Sequence, residues 1–297
     1  MISAAPSSPP KEDRFTTGGL RHRLASLPLT SGLILCSVLL AALLAPILAP
    51  HDPSGVNLLG RSLPPAWLEG GAITHFLGTD ELGRDILSRL IWGARISMLV
   101  AIVCVITTAV IGTLVGVLAG FLGGRADNWL MRLADVMLAL PYLLIALVVA
   151  GVLGASLGNV IVIIVVLRWA GLARIIRGEA LMLRQRDFVA LARVAGVNNI
   201  TIMARHIAPN VLNSVVVVST LGVGSVILFE STLSFLGVGV PPPTPSWGGM
   251  VADGRSHIGS AWWISLFPGL AITAVCLAGN MLGDWLRDAL DPKSRRA

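Results

Sequence analysis

RGEALMLRQRDFVALARVAGVNNITIMARHIAPN, residues 177–210, is a polar stretch set between two long apolar runs. It carries Arg177, Arg184, Arg186, Arg193 and Arg205, too many charges to lie in hydrocarbon. Its apolar residues nevertheless keep a helical rhythm. Phe188, Leu191, Ala192 and Ala195 recur at i, i+3, i+4 and i+7, which predicts a short helix with one small apolar face. Gly196 follows where a helix end calls for a left-handed residue. Asn198 or Asn199 is placed to cap a second short helix over 200–206, and Pro209 is expected to end it and admit the next apolar run. The stretch reads as a helix–turn–helix outside the membrane, docked between two membrane helices. Long ordered loops are mostly functional, so what this one touches decides the role of the chain.

Outward from the loop, the chain is membrane-like. Of its 297 residues 55% are hydrophobic and 13% charged, with mean hydropathy +0.81; a soluble domain carries about 25% charged residues. Six apolar runs near the roughly 20 residues of a spanning helix are expected at 30–49, 96–122, 131–153, 159–177, 211–236 and 262–286. The predicted fold class is therefore all-α integral membrane, with six transmembrane helices and the loop as a cytoplasmic appendage. The predicted divisions are an N-terminal tail 1–28, a first helix with its outer segment 29–95, a five-helix core 96–290 containing the loop, and a tail 291–297. Cys36, Cys104 and Cys276 all sit in apolar runs and pack as small hydrophobes.

The cations fix an orientation. With the N-terminus inside, only Arg61, Arg84, Arg89, Arg95 and Arg255 of the 22 Lys and Arg residues fall outside. The positive-inside rule then puts both termini and the 177–210 loop in the cytoplasm. The net charge of +6 follows topology and gives no reason to invoke nucleic acid. Two segments face outward. Residues 50–96 are expected to end in an amphipathic helix lying against the bilayer. Residues 237–261 contain VPPPTPSWGG, which predicts a rigid extended loop, with Trp262 and Trp263 at the outer interface.

Catalytic chemistry is missing. Lys11 and Lys293 are the two lysines, and neither stands in a Gly-Lys-Ser/Thr context, so the chain supplies no P-loop. The five histidines show no His-x-x-x-His spacing, which argues against a zinc hydrolase and predicts no metal site. GASLG at 154–158 imitates a nucleophile elbow, but it falls in a short turn between apolar runs with no histidine in reach.

Three separated motifs carry a family resemblance. ALARVAG (190–196) with Ala208-Pro209 resembles the cytoplasmic "EAA" loop of permease subunits of binding-protein-dependent ABC importers. It departs from that pattern at Ala190 and Ala208 and keeps the glycine and the proline. LGTDELGRDILSR (77–89) followed by GARIS (93–97), and STLSFLG (231–237) followed by Trp247-Gly248, are similar to the second, C-type, permease of the dipeptide/oligopeptide/nickel class. The resemblance implies a type I importer fold and a non-catalytic subunit. It implies a B-type permease beside the chain, two cytoplasmic ATPase subunits that use ATP and magnesium, an extracytoplasmic binding protein, and a bacterial inner membrane. The chain itself would bind no cofactor. Ala190, Leu191, Ala192, Arg193, Gly196, His206 and Pro209 would couple to the ATPase.

Other residues have two readings each. Glu230, inside the fifth run, either lines a translocation path or partners a helix polar group. Asp80, Arg84 and Asp85 either contact the binding protein or pin the outer segment through local ion pairs. Gly112, Gly116, Gly120 and Gly124 recur every four residues as a small-residue packing face. Arg168 and Asp135 are expected to snorkel or pair near helix ends. A self-contained secondary transporter is the alternative from another class; it would want inverted repeats and broken helices, and no internal repeat is visible.

Overall fold

The computed structural model describes residues 28–290. The two tails and their seven cations, Lys11, Arg14, Arg21, Arg23, Lys293, Arg295 and Arg296, lie outside the described residues.

Every regular element among the described residues is helical. In chain order the α-helices are α1 (Leu29–Leu43), α2 (Ala45–Leu48), α3 (Ile86–Leu122), α4 (Gly124–Ala139), α5 (Tyr142–Leu153), α6 (Leu157–Arg184), α7 (Asp187–Val194), α8 (Asn199–Ile202), α9 (Ala208–Phe235), α10 (Trp247–Gly254) and α11 (Trp263–Leu290). Four stretches are long and apolar enough to cross a bilayer: α3, α6, α11, and α8 running into α9 as one 37-residue helix. A fifth exists if α4 and α5, bent by 89°, count as one span. The apolar α1 has 15 residues, short of the roughly 20 that the hydrocarbon demands.

Proline sets two departures from the predicted spans. The run 30–49 breaks at Leu44, because Pro46 lacks the N–H that would reach the Ala42 carbonyl and its ring crowds that carbonyl. The run 131–153 breaks at Leu140, which Pro141 pushes to an extended φ −79°, ψ 137°. A third departure joins what the sequence separates. No distinct amphipathic helix precedes the second run; α3 is continuous for 37 residues, about 55 Å. Asp85 caps it, accepting from Ser88 N at 2.8 Å and from Ser88 Oγ at 2.7 Å.

The bundle centres on α3 packed along α6, with α9 against α3 and α11, and α1 on the periphery against α3 and α11. Small residues allow the closest approach. A Cβ on Gly116 would sit 2.6 Å from the Ala173 carbonyl oxygen, and one on Gly120 would sit 2.6 Å from that of Arg177. Gly112 faces Leu172 in the same way. Gly124 does not continue this face; nothing lies within 4 Å of it, and it opens α4.

The stretch 237–261, predicted as an outer loop, holds α10, which the sequence reading missed. Ser246 caps it, accepting from Gly249 N at 3.1 Å. Its Trp247 is buried and donates from Nε1 to the Leu90 carbonyl at 2.9 Å, pinning α10 to α3. Trp263 likewise points inward, donating to the Thr79 carbonyl at 3.1 Å, while Trp262 stays exposed. The predicted pair of interfacial indoles is thus one interior strut and one surface ring.

Candidate functional site: the docked polar loop

The loop is held by a cluster of its own at one end of the bundle. Val189 of α7, Ile202 of α8 and Ile207 are fully buried against Val117 and Phe121 of α3 and Ile176 and Ala180 of α6. Burying side chains of this size is worth about 1.5–3 kcal/mol each, enough to fix two short helices that would not persist in isolation. The docked face differs from the predicted one. Val189, Ala192 and Val197 point inward, whereas Phe188, Leu191 and Ala195 stay exposed. The sequence period locates a stripe; it does not say which of two overlapping apolar stripes meets the body.

Each punctuation residue has its place. Gly196 adopts φ +77°, and the Val197 N–H returns to the Ala192 carbonyl at 3.0 Å, closing the end of α7. Asn198 caps α8, its Oδ1 accepting from Thr201 N at 2.7 Å. Pro209, by contrast, ends nothing. The chain passes from α8 through a wide π-turn, Met203–Ile207, straight into α9. There the Ala208 N–H reaches back five residues to the Met203 carbonyl, and Asn210 Nδ2 donates to the His206 carbonyl at 2.6 Å. The wider turn accommodates a ring that lacks a donor. Motion of α8 is therefore motion of α9.

Cations of the loop and of α6 tie it to α3 and α4. Arg177 grips Asp127 through Nε at 2.6 Å and Nη2 at 2.7 Å, a two-pronged pair. Arg174 pairs with Asp135, Arg184 donates to the Leu122 carbonyl at 3.4 Å, and Arg193 stacks over the Phe121 ring at 5.3 Å. His206 lies beside Phe188, with ring centroids 6.1 Å apart. Ala190 and Pro209 are exposed and Ala192 half-buried. Facing away from the bundle are Leu191 at 69% exposure, Val194 at 88% and Ile200 at 74%. All three are apolar side chains left exposed on helices docked to the bundle.

The other sequence-selected residues fall elsewhere. Asp80, Arg84 and Asp85 are buried and engaged with neighbours. Asp80 Oδ2 accepts from Arg84 Nε at 2.6 Å and pairs with Arg89. Both arginines also reach Asp253, at 3.3 and 3.1 Å. Gly83, at φ +72°, lets the turn press against the Asn57 backbone. Asp85, besides capping α3, accepts from His75 Nδ1 at 3.0 Å. These residues are internal struts of the segment that leads into α3; Asp253, a third exposed, is the reachable member of the network. Sequence reasoning could not find Asp253, which is 169 residues from Arg84. Glu230 is 1% exposed and accepts from Ser234 Oγ at 2.8 Å. Ser156 of the elbow-like GASLG caps α6, accepting from Asn159 N at 3.1 Å.

Comparison with known proteins resolves the class. Residues 112–296 match the family model of the binding-protein-dependent transport system inner membrane component. The chain belongs to this family. It is 44% identical to the di/tripeptide transport system permease protein DppC of Pseudomonas aeruginosa, over 89% of this chain and 88% of that protein. It is 40% identical to the probable D,D-dipeptide transport system permease protein DdpC of Escherichia coli, over 99% and 98%. Identity is also 40% to the dipeptide transport system permease protein DppC of Haemophilus influenzae, again over 99% and 98%. The chain is accordingly a multi-pass membrane permease component of a binding-protein-dependent transport system, and its matched region contains the whole docked loop.

Proposed function

We propose that the chain is the C-type permease of an ATP-driven importer whose cargo is dipeptides and oligopeptides, with nickel chelates as the related cargo class. It forms half of the translocation path beside a B-type permease. Two ATPase subunits hydrolyse ATP with magnesium on the cytoplasmic side, and an extracytoplasmic binding protein delivers the substrate. The chain binds no cofactor of its own. In this reading it crosses the membrane six times, α1 and the α4–α5 pair included, with both termini and the loop in the cytoplasm. The peptide class is supported by the names of the three relatives.

The single observation that carries the reading is the patch of Leu191, Val194 and Ile200, displayed on helices locked to the bundle. Exposed apolar clusters on an otherwise polar surface mark partner contacts. Ala190, Leu191, Ala192, Arg193, Gly196, His206 and Pro209 belong to that coupling element. A push on the patch passes through Ile202 and the π-turn into α9, and through Val189 into α3 and α6. That is how a remote site biases a two-state bundle.

Reconstitution decides between this reading and a self-contained transporter. In proteoliposomes, the complete importer is expected to accumulate labelled dipeptide only with internal ATP, and the chain alone is expected to accumulate none under a proton or sodium gradient. Gradient-driven uptake by the chain alone would contradict the proposal.

A further inference from the structure

A cavity of about 340 Å³ opens between α3, α6 and α9, within the roughly 300–1,000 Å³ range of small-ligand sites. Its wall is largely apolar, with Val105, Leu172, Val218 and Phe229, and Gly171 and Gly222 leave stretches of bare backbone. Arg168 is the cation in this wall. The expectation that Arg168 snorkels or pairs near a helix end holds in its pairing half, with Ser225 as partner, and fails in its position. Arg168 stands 11 residues into α6, about 17 Å along the helix and so about halfway across a 30 Å hydrocarbon layer.

A guanidinium at that depth is costly without a counter-charge. Among the described residues Arg168 has no carboxylate within ion-pair distance; its partner is the Ser225 hydroxyl of α9, at 2.6 Å from Nη2. Ser225 in turn donates to the Gly222 carbonyl at 2.8 Å, which leaves its lone pair aimed at Arg168. One of the five guanidinium donors is thereby used, and the fork that matches a carboxylate remains. A cation in an apolar, peptide-sized hollow calls for a small anion with an apolar body.

We propose that Arg168 holds the free carboxylate of a transported peptide midway across the membrane, with the apolar walls accepting its side chains without selecting among them. This rests on the peptide-importer reading and deepens it.

The test uses the whole importer in proteoliposomes, with Ser219→Cys placed in the cavity wall and Cys36→Ser removing the exposed native thiol. Dialanine is expected to slow maleimide labelling of the introduced cysteine several-fold, and dialanine amide to leave it unchanged. Arg168→Gln should abolish the protection and cut maximal dialanine uptake about tenfold, the loss expected for a charge-assisted contact. The KM for loaded binding protein and the ATPase stimulation it causes should stay as in the parent. Arg168→Lys, which keeps the charge and loses the fork, should retain part of both. Equal protection by acid and amide would overturn the proposal, as would unchanged uptake in Arg168→Gln. So would uptake and ATPase stimulation falling together in both variants, which would make Arg168 a structural residue. If the parent importer takes up no peptide at all, the substrate reading fails first and this proposal with it.

Discussion

Gly196 separates two costs that a substitution can carry. Nothing lies within 4 Å of a Cβ built there, so added bulk meets no neighbour; the cost is the left-handed backbone at φ +77°. That cost is about 1–2 kcal/mol for an ordinary residue and smaller for asparagine. Gly196→Val is therefore expected to insert and purify normally while abolishing uptake, because the end of α7 is re-aimed. Gly196→Asn should keep most uptake. Transport assays on membranes with matched expression check both. The Asp80 network supplies a contrast. Asp80→Ala leaves Arg84 and Arg89 buried beside a single remaining carboxylate, a defect of about 3–5 kcal/mol. Asp253→Ala removes a partly exposed partner and should cost about 1 kcal/mol or less. Thermal unfolding of the purified chain in detergent should rank them in that order, and equal losses would contradict the strut assignment. At this scale the sequence showed which residues matter and left Asp80, Arg84 and Asp85 with two roles; their burial and ion pairs are those of the pinning role, a choice that composition, which reports charge without burial, does not make.

Helix boundaries show where local signals stop being sufficient. Pro46 and Pro141 were visible breaks in runs that hydropathy averaging joined. α10 was hidden for the opposite reason: Gly248 and Gly249 are poor helix formers, and the helix persists because Ser246 caps it and Trp247 anchors it to α3. The loop was legible because its signals are local: the periodic α7, the left-handed Gly196, the Asn198 cap. Its docked face was not, since Val189 and Leu191 both lie on apolar stripes and only the position of α3 and α6 chooses between them. The glycine face of α3 was read correctly as far as Gly120. It yields a test of helix packing. Gly116→Val would drive a branched side chain into the Ala173 carbonyl and Ile176 and should destabilise the bundle by about 1–3 kcal/mol. The same change at Gly151, which has no neighbour within 4 Å, should be far milder. Detergent thermostability of the two variants is the check.

On the scale of the whole molecule, two polar features at different depths divide the work. The segment before α3 is cross-braced by Asp80, Arg84, Arg89 and Asp253 and by Trp247 and Trp263, which ties α10 to the start of α3. At the other end, the loop grips α3 and α6 through Val189 and Ile207 and continues without interruption into α9. Between them lies the cavity with Arg168. A load applied to α7 and α8 is thus placed to change the separation of α3, α6 and α9 around that cavity. The central claim is that the load enters at the exposed apolar patch. The direct measurement is the amount of ATPase subunit that co-purifies with a Leu191→Asp, Val194→Asp double variant. Both side chains face away from the bundle, so the variant is expected to reach the membrane in normal amount and pair with its partner permease. It should lose the ATPase and ATP-driven uptake. Full ATPase recovery with uptake at the parental rate would contradict the account.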